Sequence, residues 1–165
     1  MAHEVLLSIV PLPADHIHRI HGEDSPGLAA EAYEKELRAF WAGNLKDDPS
    51  LPRFDLVLLG MGSNGHTASL FPGSQAVKEQ RRWVVADYVL ELSMWRITLT
   101  PVVINAAKTV FFMVTGADKA ERLAEVLEGP FQPDRLPAQI IKPENGRLLW
   151  FVDQAAAREL SSTRE

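Results

Sequence analysis

The chain contains no cysteine, no block of lysine and arginine, and no long apolar run. Without cysteine there is no disulfide framework and no thiolate zinc site, as suits a reducing cytosol. A net charge of −5 argues against general nucleic-acid binding. No apolar run approaches the ~18 residues that span a bilayer, and the first residues lack a signal peptide's basic and apolar regions. We therefore predict a cytoplasmic protein with neither a nucleic-acid nor a membrane partner.

The size and the order of elements predict one α/β domain. The 165 residues, 46% hydrophobic and 24% charged, suit a single domain over 1–165. Apolar patterns with start and stop signals predict strands over 16–20, 54–59, 83–89, 95–99, 109–114 and 148–152, and helices over 4–10, 26–43, 101–107, 118–127 and from 154. Strands separated by helices indicate a mostly parallel, Rossmann-like sheet flanked by helices.

The stretch 55–73 concentrates most of the chemistry. Its apolar residues Leu56 to Leu59 indicate a central strand buried on both faces. Gly60, Gly62 and Gly65 then allow a tight turn, and His66 follows directly.

The three glycines also fit the dinucleotide-binding pattern G-x-G-x-x-G, with Asp87 downstream near the expected distance. That pattern requires a helix after the glycines. Pro72-Gly73 would interrupt such a helix after barely a turn. The segment therefore does not favour nucleotide binding.

A ligand loop at the carboxyl end of a strand is the alternative, with His66 as its titratable group. Imidazole takes a proton from water near neutral pH, and backbone amides of the loop can stabilise an oxyanion. A lone histidine beside a turn is more often only a hydrogen-bonded structural residue. Its position directly after three loop glycines favours the general base.

Two cations complete the candidate site. Lys119 follows the predicted strand 109–114 and the turn Thr115-Gly116, in the first turn of a helix that Asp118 is expected to cap. A lysine there opposes the helix dipole, but it suits a phosphate; a solvated lysine near Glu121 is the plain alternative. Arg96 lies in an apolar-flanked strand and must face solvent, a carboxylate or an anionic ligand.

Two other constellations are weaker. His16, His18 and His21 have metal-ligand spacing, but the nearby acids need not converge on them. Ser63 or Ser69 with His66 lacks the G-x-S-x-G elbow of a serine hydrolase. We predict neither a metal site nor a catalytic triad.

Residues 60–73, Gly-Met-Gly-Ser-Asn-Gly-His-Thr-Ala-Ser-Leu-Phe-Pro-Gly, resemble the signature of the 6-phosphogluconolactonases of the oxidative pentose phosphate pathway. Further segments resemble that family in the same order: 6–13, 18–23, 95–100, 104–107, 114–119 and 136–139. The resemblance implies a fold shared with glucosamine-6-phosphate deaminases and ribose-5-phosphate isomerases. It also implies hydrolysis of 6-phosphogluconolactone, a phosphosugar lactone, without a required cofactor.

Carried over residue by residue, the resemblance makes His66 the general base. It places the phosphate beside Arg96 and Lys119. The remaining substrate-binding residues are expected in the loop: Gly62, Ser63, Asn64 and Gly65. The alternatives are a sugar-phosphate isomerase or deaminase of the same fold, and a sugar-phosphate-binding remnant without turnover.

The sequence departs from the family in two ways. Asn64 stands where the family commonly has aspartate, so it can hydrogen-bond but carries no charge. Residues 1–7 resemble an internal family segment, so the chain resembles the carboxyl-terminal portion of a longer, N-terminally truncated enzyme. Loss of the family's early strands would expose a sheet edge or an apolar face, which predicts a homodimer or poor solubility.

Overall fold

The computed structural model of the chain describes residues 3–43 and 51–161. Its α-helices are α1 (Pro26–Gly43), α2 (Pro101–Asn105), α3 (Ala120–Glu128) and α4 (Gln154–Ala157). Its strands are β1 (Val57–Leu59), β2 (Val84–Val89), β3 (Met94–Leu99), β4 (Thr109–Val114) and β5 (Arg147–Val152). No helix in these two ranges is long and apolar enough to cross a membrane.

Three strands form a parallel sheet in the order β1-β4-β5. One face of this sheet packs against the main core, a cluster that contains Leu59, Phe112 and Val114 together with Leu123 of α3. Because the strands are parallel, the loops after β1 and β4 emerge at the same edge of the sheet. The predicted mostly parallel α/β sheet is confirmed, and its carboxyl edge carries the loop of residues 60–73.

The strands β2 and β3 form a separate antiparallel hairpin rather than joining the parallel sheet. Helix α1 packs against this hairpin, and a second apolar cluster forms between them around Leu37 and Val84. The buried Glu34 of α1 fixes the contact, since its carboxylate accepts hydrogen bonds from Arg82 Nε at 2.7 Å and from the Trp83 and Val84 amides. Helix α1 thereby holds the hairpin in place.

Three predictions about strands are wrong. Residues 16–20 form no strand: a short 3₁₀ turn, Ala14–His16, is followed by irregular chain, so the alternation has no neighbouring strand to pair with. The strand predicted over 54–59 is only three residues long, and among the described strands it lies at the sheet edge rather than the centre. It is also not covered on both faces, because Leu58 is 55% exposed.

The second face of the parallel sheet is open in the described structure. Strand alternation and the pairing register place Leu58, Met113 and Phe151 on this face. All three side chains are more than half exposed. Since the faces of parallel sheets are normally covered, this apolar surface is unusual for a free protein.

Candidate active site

The loop after β1 folds on its own hydrogen bonds rather than leading into a helix. The Gly62 amide donates to the His66 carbonyl and the Gly65 amide to the Gly62 carbonyl, both at 2.9 Å. Gly65 adopts a φ of +83°, where a side chain would be strained. The next helical piece is a 3₁₀ turn, Gln75–Lys78, so the helix required for a dinucleotide is absent from the described loop. The predicted interruption of a helix at Pro72-Gly73 is therefore confirmed.

The His66 ring is half-buried and held on several sides. It stacks on Phe71, with ring centroids 4.1 Å apart. Its Nδ1 lies 2.6 Å from the Oδ1 of Asn64, and the same oxygen accepts from the His66 backbone amide at 3.1 Å. A Cβ on Gly62 would overlap the ring atoms Cε1 and Nδ1, so only glycine leaves room for the ring in this position.

Burial lowers the pKa of His66 below its ordinary value of 6.5, because the charged ring loses water. Glu91 opposes this shift, whereas Arg96 and Lys119 add to it. Arg96 and Lys119 belong to different elements, and both contribute to the lowered pKa of the same histidine. A ring with this pKa is neutral at pH 7 and can accept a proton.

Arg96 and Lys119 each have a hydrogen-bond partner in the protein. Arg96 is exposed on β3, and its Nε donates to the Ser69 hydroxyl at 3.3 Å. Lys119 directly precedes α3, and its Nζ lies 2.6 Å from Asp118 Oδ2. Asp118 therefore binds the lysine instead of capping the helix, contrary to the prediction. The Arg96 side chain is exposed and 23% of the Lys119 side chain is exposed, so an anion that displaces these partners can reach both.

Glu91 lies in the short turn between β2 and β3 and was not predicted as a site residue from the sequence. Its Oε2 accepts a hydrogen bond of 2.8 Å from Asn64 Nδ2. Arg122 of α3 was not predicted either; its Nε donates to the Ser63 carbonyl at 3.3 Å and so supports the loop. Both are long-range contacts that no local pattern indicates.

The weaker constellations do not assemble. In the described residues no hydrogen bond joins a serine hydroxyl to His66, and Ser69 instead accepts from Arg96. His18 pairs with Glu36 at 2.5 Å, and His21 lies 3.5 Å from Glu23. No group of three or more potential metal ligands converges anywhere in the described ranges.

A cleft of about 410 Å³ opens beside the histidine, within the usual size range of small-molecule sites. Gly62, His66 and Ala68 line it together with the end of β1. Ala68 has a φ of +49°, a costly conformation for a residue with a side chain. Such strain next to a titratable group in a cleft is typical of functional sites.

Known proteins resemble this chain closely. The family model described as glucosamine-6-phosphate isomerases/6-phosphogluconolactonase matches residues 1–150. The 6-phosphogluconolactonase of Homo sapiens is 41% identical over 158 residues, which cover 94% of this chain and 58% of that protein. The corresponding protein of Haemophilus influenzae is 36% identical, with 95% and 64% covered.

Solved structures of related proteins have a similar fold. The 6-phosphogluconolactonase from Trypanosoma cruzi matches with a TM-score of 0.80 and 30% identity, covering 98% of this chain and 65% of that one. A monomeric glucosamine-6-phosphate deaminase, 23% identical with a TM-score of 0.57, shares the fold. The chain therefore spans about three-fifths of the length of the relatives it matches.

Proposed function

Since this chain belongs to the glucosamine-6-phosphate isomerase/6-phosphogluconolactonase family, we propose that it hydrolyses 6-phospho-D-glucono-1,5-lactone to 6-phosphogluconate. The observation that carries the proposal is the His66 ring. Its Nδ1 is hydrogen-bonded to the amide oxygen of Asn64, which can only accept a hydrogen bond. The proton of the neutral ring therefore stays on Nδ1, and Nε2 keeps a free lone pair. This is the form that a general base requires.

In the proposed reaction Nε2 takes a proton from water while the water oxygen attacks the lactone carbonyl carbon. The carbonyl becomes an oxyanion. The Gly62 and Gly65 amides are used inside the loop, so we assign oxyanion stabilisation to the amides of Ser63 and Asn64, which have no acceptor within the described chain. The tetrahedral centre then collapses, the ring C–O bond breaks, and His66 returns the proton to the departing ring oxygen.

Arg96 and Lys119 hold the phosphate in this proposal. A phosphate carries close to two negative charges at neutral pH, and both side chains donate several hydrogen bonds to such an anion. Their effect on the pKa of His66 supports a common site. The proposed steps use no cofactor and no metal ion.

The test compares the wild-type chain with His66→Ala and His66→Gln in a lactonase assay that corrects for spontaneous hydrolysis. We expect both variants to lose at least about a hundredfold in kcat, within the range usual for a general base. Equal rates in the wild type and both variants would remove His66 from the mechanism. A wild-type chain without turnover would reject the hydrolase proposal for this chain.

The second candidate function is sugar-phosphate binding without turnover. The observation that favours it is the open sheet face, whose apolar side chains are more than half exposed. It predicts that 6-phosphogluconate binds in calorimetry while the lactonase rate equals the background. An isomerase of the same fold would instead interconvert an aldose phosphate and a ketose phosphate, and a deaminase would convert an amino-sugar phosphate to a ketose phosphate with release of ammonia.

For its assembly we propose a cytoplasmic homodimer. Leu58, Met113 and Phe151 form an apolar patch on one face, and a twofold dimer would bury this same patch on both copies. Covering a parallel sheet in this way removes apolar surface from water, the dominant driving force of association.

A further inference from the structure

The acid of the β2–β3 turn, Glu91, reaches the loop that carries His66. The two segments are far apart in sequence, yet Asn64 Nδ2 donates to Glu91 Oε2 at 2.8 Å. Asn64 in turn contacts both the ring and the backbone amide of His66. The three side chains thus form one continuous chain of hydrogen bonds.

The direction of each bond in this chain is determined by its ends. A carboxylate only accepts hydrogen bonds, so the Asn64 atom facing Glu91 must be the amide nitrogen. The His66 backbone amide only donates, so the Asn64 atom facing it must be the amide oxygen. Both ends require the same orientation of the Asn64 side chain. In that orientation Oδ1 faces Nδ1 of the His66 ring and selects its Nδ1–H form.

We propose that Glu91 is a positioning residue, which acts through Asn64 to hold His66 in the tautomer with a free Nε2. The His66 backbone amide holds the Asn64 oxygen toward the ring only through a bond of 3.1 Å, and turning the Asn64 nitrogen to the ring instead would place the lone pair on Nδ1. A fixed carboxylate behind the amide prevents that turn. Glu91 also supplies the negative charge that Asn64 lacks. The inference rests on the proposed role of His66 and deepens it.

The groups that act on His66 come from several elements. Glu91 lies in the hairpin turn, Arg96 on β3 and Lys119 before α3, and Phe71 covers one ring face. Only Glu91 raises the pKa of His66, whereas the two cations lower it. Loss of the Glu91 charge therefore moves the titration of His66 to lower pH.

Two substitutions separate the hydrogen bond from the charge. Glu91→Gln keeps an oxygen that accepts from Asn64, so we expect kcat within about threefold of the wild type and an acid limb at lower pH. Glu91→Leu keeps the size but offers no acceptor, so we expect kcat to fall about tenfold with KM nearly unchanged. Glu121→Leu is the matched control, because Glu121 is an exposed glutamate on α3 and should leave the rate unchanged.

A second pair of variants tests the chain of hydrogen bonds by exchanging the amide of Asn64 and the carboxylate of Glu91. Asn64→Asp alone sets two carboxylates against each other, and we expect it to lower the rate by about tenfold. Asn64→Asp combined with Glu91→Gln replaces that repulsion by a hydrogen bond and should recover most of the loss. A double variant that is as poor as the product of the two single variants would overturn the proposal.

The tautomer itself is measured without turnover. Nitrogen-15 NMR of the imidazole distinguishes Nδ1–H from Nε2–H, and His66→Ala assigns the signal among the five histidines. We expect the Nδ1–H form in the wild type and in Glu91→Gln, and a mixture in Glu91→Leu. An unchanged tautomer in Glu91→Leu would refute the role of Glu91. If the wild-type chain lacks lactonase activity, only the proposed function fails, and the NMR result still decides the positioning.

Discussion

The imidazole of His66 lies nearly parallel to the phenyl ring of Phe71, with centroids 4.1 Å apart and planes inclined by 17°. Phe71 is buried, so its ring is a fixed platform. Gly62 bounds the imidazole as well, since a Cβ there would overlap it. The ring therefore has little freedom to tilt, and its Nε2 faces a fixed direction. This rigidity is what a proton acceptor needs if it is to meet water in one geometry.

Gly62→Ala should lower the catalytic rate while the protein stays folded. The added methyl group forces the ring away from Asn64, and we expect kcat to fall more than about tenfold, because misplacement by ~1 Å is costly to catalysis. The displaced ring borders the open cleft rather than the core, so the fall in thermal stability should be small beside the fall in rate. Gly60→Ala is the matched control, because its Cβ would meet nothing closer than the Met113 carbonyl oxygen at 3.9 Å. Equal losses in the two variants would contradict a specific role for Gly62.

The pH dependence of the reaction should follow His66. Burial, Arg96 and Lys119 lower its pKa below 6.5 despite Glu91, and only the neutral ring accepts a proton. We therefore expect kcat/KM to fall on the acid side of pH 6.5 and to be level around pH 7. Arg96→Gln removes a charge that lowers this pKa, so its acid limb should move to higher pH.

The same variant should raise KM about tenfold, because it loses a charged hydrogen bond to the phosphate. Arg81→Gln, an exposed arginine before β2, is the control for net charge. An acid limb that stays in place in Arg96→Gln, with an unchanged KM, would separate Arg96 from the site.

The sequence predicted best those elements that local signals define. Strand β4 occupies the predicted residues 109–114, because an apolar run is bounded there by Lys108 and by Thr115-Gly116. Helix α1 begins at Pro26 and ends at Gly43, where a favoured first-turn residue and a favoured stop residue stand. The strand predicted over residues 16–20 is absent, because an alternating pattern forms a strand only where a neighbouring strand can pair with it.

The candidate site was predictable only in part, and for a related reason. His66, Asn64 and the glycines lie in one continuous loop, so their proximity is a local property of the sequence. Glu91 reaches Asn64 only because the β2–β3 hairpin packs as it does against α1 and the loop. The exposure of one side of β1 was likewise not predictable, since an apolar strand has the same sequence whether or not its second face is covered.

Glu34→Gln should destabilise the packing of α1 on the hairpin. Burial raises the pKa of Glu34, but hydrogen bonds from Arg82, Arg38 and the Val84 amide outweigh it, so the pKa lies below its ordinary value. We expect the free energy of unfolding to fall by about 2–3 kcal/mol at pH 7. This is somewhat less than for a fully buried ion pair, because both arginines are half exposed.

The sign of the pH effect follows from the lowered pKa. The stabilisation from ionised Glu34 is complete above the carboxyl's unfolded pKa and is lost as the pH falls through the lower folded pKa. The difference between wild type and Glu34→Gln, measured by urea unfolding, should therefore shrink from pH 6 toward pH 3. Glu121→Gln on the surface of α3 should show no such change. A difference that is constant with pH would show that the charge of Glu34 contributes nothing.

Met113→Lys should make the chain monomeric if the open sheet face is the dimer interface. Met113 lies on the middle strand β4 between Leu58 and Phe151, and it is 54% exposed. A lysine on each copy would face its counterpart across a twofold axis, and both charges would lose water, so association becomes unfavourable. Light scattering after gel filtration should give a dimer for the wild type and a monomer for the variant.

Leu127→Lys is the matched control for this substitution. Leu127 is a similarly exposed apolar residue, but it lies on α3, away from the open face. It should leave the dimer intact, because the added charge stays in water in both states. A wild-type chain that remains monomeric at high concentration would exclude the homodimer. A dimer that persists in Met113→Lys would place the interface on another surface, and the apolar face of β1, β4 and β5 would then need a different partner to keep it from water.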